Sequence, residues 1–225
     1  SHPLRVPVAV DRDGRLADGY EVQGLPWLML TSPGGKIAWY YSVADLGWPS
    51  TARLLTDVKE ALVRAAGAPA NIKAALAGSP PALAALHAQA SQLLGTEPAL
   101  ADRIRSLEGY PIVLNAWASW CIPCQAEFGL FASASARYGR RVAFLGADTN
   151  DTSGDARAFL AGHPVSYPSY QASTTNLGAI VPGGVLGLPT TIFITRGGKV
   201  SFVHPGQYVS QGTLDGDIAS YALGS

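Results

Sequence analysis

Two cysteines, Cys121 and Cys124, are the only ones in 225 residues, and Ile122-Pro123 lie between them. A pair three positions apart closes almost no loop, so it hardly constrains the unfolded chain and does not make a disulfide-stapled scaffold. What the spacing does suit is redox chemistry, because two thiols almost one helical turn apart can form a reversible disulfide. The segment WASWCIPCQAEF (117–128) follows directly on PIVLNAW (111–117), a continuous apolar run that reads as a strand buried on both faces. Cys121 therefore falls in the first turn of the next helix, where unpaired N–H groups and the positive end of the macrodipole stabilise thiolate over thiol. The leading cysteine of such motifs has a pKa in the range ~3.5–7.5, against ~8.5 for a free cysteine. Pro123 is tolerated there because first-turn positions have no intrahelical N–H bond to lose. Trp117 and Trp120 read as packing residues, with Trp120 placed to shield the disulfide. Zinc is disfavoured: His2, His87, His163 and His204 are scattered singly, whereas a structural zinc site takes about four ligands in paired spacings.

The elements that must position the cysteines are legible on either side. A helix is predicted from about Cys121 to Tyr138, followed by a second buried strand in VAFLGA (142–147). Thr152 or Ser153 caps a further helix whose Ala156, Phe159 and Leu160 recur at helical spacing. Next comes GLPTTIFITRGGKVSFVH (187–204), an apolar run, a Gly-Gly turn and a second run, which reads as a β-hairpin. Leu214, Ile218 and Tyr221 mark a last helix. Parallel strands joined through helices call for an α/β layer architecture.

That hairpin is repeated. Residues 24–41 read GLPWLMLTSPGGKIAWYY, with the same Gly, Leu, Pro, Gly, Gly and Lys at an offset of 163. A helix with Leu54, Leu55, Val58, Ala61 and Leu62 on one face follows it after a Ser50 or Thr51 cap. No cysteines precede this copy in the chain, so 1–67 reads as a partial domain of structural role, in which Pro26, Trp27, Trp39 and Trp48 make core or inter-domain contacts. Ser1-His2-Pro3 reads as the start of a processed or trimmed chain. Two alternatives stay open for the upstream half: it was cut away, or the segment packs as an appendage on the complete copy, which is the preferred reading because a lone hairpin and helix cannot bury its own apolar face. Residues 68–108 are rich in alanine and interrupted by glycine and proline, so they read as a linker of short helices with a flexible boundary near 67–79. Leu83, Leu86, Ala90, Leu93 and Leu94 mark one apolar face there, and Leu100, Ile104 and Leu107 another. The complete domain is placed at 109–225.

Composition narrows the function further. Apolar residues make up 48% of the chain and charged residues 14%, and sixteen basic side chains balance sixteen acidic ones. A well-filled interior is implied and disorder of most of the chain excluded; the electrostatic footprint of nucleic-acid or anionic-membrane binding is missing. The longest apolar runs stop far short of the ~18 residues that would span a bilayer.

VLNAWASWCIPCQAEF (113–128), GLPTTIFI (187–194) and the GGKV turn (197–200) together closely resemble the thioredoxin superfamily, and within it the TlpA, ResA and DsbE-like thiol–disulfide oxidoreductases of the bacterial envelope. The likeness covers roughly residues 80–225. It implies a thioredoxin-like α/β fold, a central mixed sheet flanked by helices, with the N-terminal half domain as an addition. It implies that Pro189 is a cis proline facing the cysteines, that the backbone of Leu188 pairs with an extended substrate strand, and that Thr190 follows in the same substrate-binding loop; Trp27 stands at the corresponding position of the first copy. Asn115 occupies the place of the buried aspartate of cytoplasmic thioredoxins and cannot take the second cysteine's proton, a change shared with the TlpA-like branch. Glu127, one turn after Cys124, is the only carboxylate nearby in sequence and reads as a solvated helix residue or, alternatively, a proton relay. Gly129 replaces a helix-kinking proline, which implies a straighter or looser helix.

The function expected is thiol–disulfide exchange with protein substrates outside the cytoplasm, with Cys121 as nucleophile, Cys124 as resolving thiol and no cofactor beyond their disulfide. The resemblance favours reduction of the cytochrome c maturation type, with electrons from a membrane thiol carrier. The alternatives are a disulfide-donating oxidase of the DsbE-like kind and a non-catalytic peptide-binding module. A peroxidase is weaker, since the flanking residues lack the Thr-x-x-Cys arrangement of peroxiredoxins.

Overall fold

In the computed structural model, the apolar run at 111–117 forms the middle of a sheet. The structure describes residues 27–31, 37–42, 50–54, 72–181 and 184–224. Strand β3 (Ile112–Trp117) is buried at every position, as a continuous apolar run requires when helices cover both faces. It pairs in parallel with β4 (Ala143–Thr149), which pairs in parallel with β5 (Ser169–Ala172). On its other side it pairs antiparallel with β6 (Thr190–Ile194), and β6 with β7 (Val200–Pro205). The order β5-β4-β3-β6-β7 is the mixed, helix-flanked α/β sheet expected. The short β5 was absent from the sequence reading: its four residues, Ser-Tyr-Gln-Ala, are half polar and carry too little pattern to stand out.

Alternation along β3 divides the core in two. Val113, Asn115 and Trp117 face helices α4 (Ile122–Tyr138), α5 (Ser153–Gly162) and α7 (Gln211–Asp217, continued by a π-wound turn, Ile218–Leu223). Rings of Trp117, Phe128 and Phe159 meet there with centroids 4.8–5.1 Å apart. Gly146 makes this possible, because a Cβ at that position would lie 2.1 Å from the Ser169 hydroxyl and 2.9 Å from the Trp117 indole nitrogen. Ile112, Leu114 and Ala116 face the other way, towards α2 (Pro81–His87) and α3 (Glu97–Ser106). Two short helices, α1 (Ile72–Ala75) ahead of α2 and α6 (Thr174–Leu177) after β5, complete the order.

The segment 68–108 is therefore more than a linker. Leu83, Leu86, Leu100 and Leu107 are fully or almost fully buried in the second core. Gln92 O accepts from Ser169 N–H, Leu94 N–H donates to Ser169 O, and Gln171 N–H donates to Gly95 O, which covers the open edge of β5. Of the expected apolar face, Ala90 is exposed. The domain thus begins ahead of 109, since its own edge and core need these residues.

Of the N-terminal copy, strands β1 (Trp27–Thr31) and β2 (Ile37–Ser42) pair antiparallel as the expected hairpin. Residues 51–54 are helical, with Ser50 Oγ accepting from Arg53 N–H as the cap. Pro26, Trp48, the rest of the 1–67 segment and the side chains of Trp27 and Trp39 lie outside the described residues.

Candidate functional site

Cys121 is the N-cap of α4. Its backbone is extended, and Sγ accepts the Cys124 N–H at 3.3 Å, so the sulfur itself satisfies one of the helix's unpaired amides. Cys121 and Cys124 are joined in a disulfide with Cα atoms 5.2 Å apart. Cys121 is 5% exposed and Cys124 0%, so an incoming thiolate reaches the bond at Cys121. Pro123 lies in the first helical turn, and the helix runs unbroken through Gly129 to Tyr138. Trp117 is fully buried, as packing requires, whereas Trp120 is 51% exposed and anchored by its Nε1–H to Asn150 O at 3.2 Å.

Opposite this loop, the Leu188–Pro189 peptide is cis. Thr190 is the register partner of Ala116, so Pro189 sits level with the end of β3, where the cysteine loop begins, and Leu188 packs on the cluster that contains both cysteines. Gly187 O accepts from Thr190 Oγ1 at 2.8 Å, and Pro189 O accepts from Gly206 N–H at 2.9 Å. Between these two tied residues, the N–H and C=O of Leu188 have no partner among the described residues. Such a bare peptide unit can take one rung of an added strand.

Glu127 is completely buried, which overturns its reading as a solvated helix residue. It is three positions after Cys124, so both project from the same face of α4. Its Oε1 accepts from Asn115 Nδ2 at 2.9 Å, and its Oε2 accepts from Tyr208 N–H at 2.9 Å. Burial pushes its pKa from 4.5 up to about 8, against the lowering effect of those two donors. Asn115 Oδ1 has no partner, and turning that amide over would present an acceptor to a protonated Glu127. Asn115 can therefore serve the acid in either state: it donates to the carboxylate or accepts from the carboxylic acid.

Asp148, Asp151, Asn150 and Tyr208 escaped the sequence reading. Tyr208 is buried, stacks on His204 at 4.0 Å, and donates its hydroxyl to Asp217 Oδ2 at 2.6 Å. The only sequence signal for the first three is the polar stretch DTND where the buried strand at 143–149 ends, beside the end of β3. The described histidines hold structural contacts. His87 bridges the carbonyls of Ser166 and Gly139 at 3.1 Å each, and His163 stacks on Phe159. Burial lowers the pKa of His204 against the pull of Asp217. Among the described residues no group of three or more His, Cys, Asp or Glu side chains could hold a metal ion, and no helix is long and apolar enough to cross a membrane.

No family model matches the chain. A thiol:disulfide interchange protein DsbE homolog of Paracoccus denitrificans is 33% identical over 112 residues, 50% of this chain and 59% of that protein. A thiol-disulfide oxidoreductase ResA of Halalkalibacterium halodurans is 28% identical over 109 residues, 48% of this chain and 61% of that protein. The matched stretch thus spans about three fifths of these curated relatives. Among solved structures, a thiol:disulfide interchange protein DsbE from Chlorobium tepidum, described as putative, is 27% identical and superposes with a TM-score of 0.48 over 53% of this chain and 84% of its own. The cysteine-bearing domain is a homologue of proteins named DsbE and ResA, thiol–disulfide oxidoreductases.

Proposed function

We propose that this chain is a thiol–disulfide oxidoreductase that reduces disulfides in protein substrates outside the cytoplasm, as in cytochrome c maturation, and is itself re-reduced by a membrane thiol carrier. The observation that carries the reading is the placement of the two sulfurs: one at the helix N-cap beside the bare peptide of Leu188, the other fully enclosed one turn inside. In the reduced enzyme, the Cys121 thiolate attacks a substrate disulfide and expels the first substrate sulfur as a thiolate, which water protonates. Glu127 in its ionised form then takes the proton of the Cys124 thiol, whose sulfur attacks Cys121 Sγ and expels the second substrate thiolate. Two electrons have passed to the substrate, and the enzyme holds the Cys121–Cys124 disulfide. Because Glu127 in the disulfide form keeps a proton up to about pH 8, the proton taken from Cys124 stays there until reduction returns it. In this reading the disulfide is the whole redox group. The names of the relatives, a thiol:disulfide interchange protein DsbE homolog and a thiol-disulfide oxidoreductase ResA, support the class of reaction.

Two measurements test the proposal. Cys124→Ser is expected to capture substrates from an envelope extract as mixed disulfides on Cys121, and equilibration with defined glutathione ratios is expected to give a potential towards ~−270 mV. A potential near ~−120 mV would reverse the direction to disulfide donation. Absence of both trapped species and insulin-reductase or thiol-oxidase turnover would leave a peptide-binding module instead.

A further inference from the structure

A second buried acid, Asp148, takes no part in the thiol exchange. It lies near the end of β4 and is 1% exposed. Trp117 is its register partner on β3 and Gln171 its partner on β5. Neither of its carboxyl oxygens meets a well-formed hydrogen bond, although the side chains of Gln171 and Asp151 act on it, a setting in which a carboxylate is strongly disfavoured. Three residues on, both oxygens of Asp151 are engaged with backbone amides: Oδ2 accepts from Ser119 N–H at 2.6 Å and Oδ1 from Thr152 N–H at 2.7 Å. Ser119 belongs to the loop that leads into Cys121, and its carbonyl accepts from Gln125 Nε2 at 2.8 Å. Asn150, in the left-handed region with φ 53°, offers its carbonyl to the Trp120 indole. The stretch 148–151 thus grips the 118–120 loop at two points.

We propose that Asp148 is a positioning residue of the redox site: held neutral by its burial at the end of β4, it leaves Asp151 seated on the Ser119 amide, so that the loop carrying Trp120 and Cys121 stays in place. Burial, and then the neighbouring Asp151 side chain, push Asp148 up to about 8 against the lowering effect of Gln171. Loss of the Asp148 proton adds a negative charge beside Asp151 and pushes Asp151 away from the loop. The charged groups on the helices around this face are Asp155 and Arg157 on α5 and Glu127 and Arg137 on α4; β3 and β5 present Trp117 and Gln171. The consequence for Cys121 rests on the oxidoreductase reading, whereas the hold on Trp120 does not.

The test uses the disulfide form of the full chain and requires no turnover. The nuclear magnetic resonance signal of the Trp120 indole N–H is followed through the alkaline range in wild type, Asp148→Asn and Glu127→Gln. The wild-type signal is expected to shift with an inflection near pH 8, to hold its neutral-pH position throughout in Asp148→Asn, and to keep the inflection in Glu127→Gln. A wild-type signal that does not move, or an inflection that survives Asp148→Asn, overturns the proposal. Should Asp148→Asn not fold, carbon-13 titration of the Asp148 carboxyl in wild type decides, and ionisation below neutral pH overturns it. Failure here leaves Cys124→Ser trapping intact, and failure of trapping leaves the indole titration intact.

Discussion

Replacing Glu127 by Gln separates the cost of burying this acid from the rest of the fold. In the unfolded chain the carboxyl releases its proton near 4.5, and in the native protein near 8. Between those values the native state holds one more proton than the unfolded state, so stability falls as pH rises, by about 1.4 kcal/mol per pH unit. Over the whole window the cost reaches an upper limit of about 5 kcal/mol. It is absent below the unfolded value, where both states are protonated, and constant above the native one. Gln is neutral throughout. Its carbonyl can accept from Tyr208 N–H while its amide donates to Asn115 Oδ1, once that side chain turns over, so the variant keeps both contacts of the wild type. The assay is denaturant unfolding of the disulfide form of both proteins across this range. The stability of Glu127→Gln relative to wild type is expected to rise from near pH 4.5 to near pH 8 and then level off. Asp148 titrates in both proteins and drops out of the difference. Parallel profiles through this window would refute the assignment of a buried, proton-holding Glu127. With the disulfide reduced, the same variant is expected to slow release of the mixed disulfide by ~10²-fold or more, as loss of a general base does.

Gly146→Ala places a methyl group into the Ser169 hydroxyl and the Trp117 indole and is expected to lower stability by about 1–3 kcal/mol, as overpacking does; adding Ser169→Ala should recover only part of the loss, since the indole contact remains. In the reduced protein, thiolate absorbance should show Cys121 ionising well below the ~8.5 of a free cysteine because of its N-cap position, and ordinary ionisation would remove the basis of its nucleophilic role.

The parts legible in the sequence are those set by local pattern. The apolar runs at 111–117 and 142–147, the Gly-Leu-Pro hairpin and its repeat, and the placement of Cys121 at a helix start all depend on neighbouring residues, and the strands and caps lie within a residue or two of where the pattern puts them. What was not legible depends on distant partners. Glu127 looks like an exposed helix residue because the groups that accept its burial come from Asn115, a strand away, and from the backbone of Tyr208, 81 positions downstream. Residues 92–95 look like linker because their pairing with β5 needs a strand whose four residues are too short and too mixed to recognise alone. Asp148 reads as the polar end of a strand, and only the closed sheet shows that it is covered.

Burial raises both buried acids to a similar pKa, but their partners differ, and this difference assigns their roles. Glu127 has a donor on each oxygen, and one of them, Asn115, can present either end of its amide, so the acid can gain or lose a proton with one side-chain turn and no movement of the backbone. That is what a group cycling a proton with Cys124 in every turnover requires. Asp148 lacks a well-formed donor on each oxygen, and its charge is opposed by Asp151, whose own oxygens are committed to the amides of Ser119 and Thr152. It cannot release its proton without disturbing the loop that those bonds hold. A carboxyl buried this way serves the site by staying neutral, and the same alkaline titration that is a working step for Glu127 is a loss of structure for Asp148.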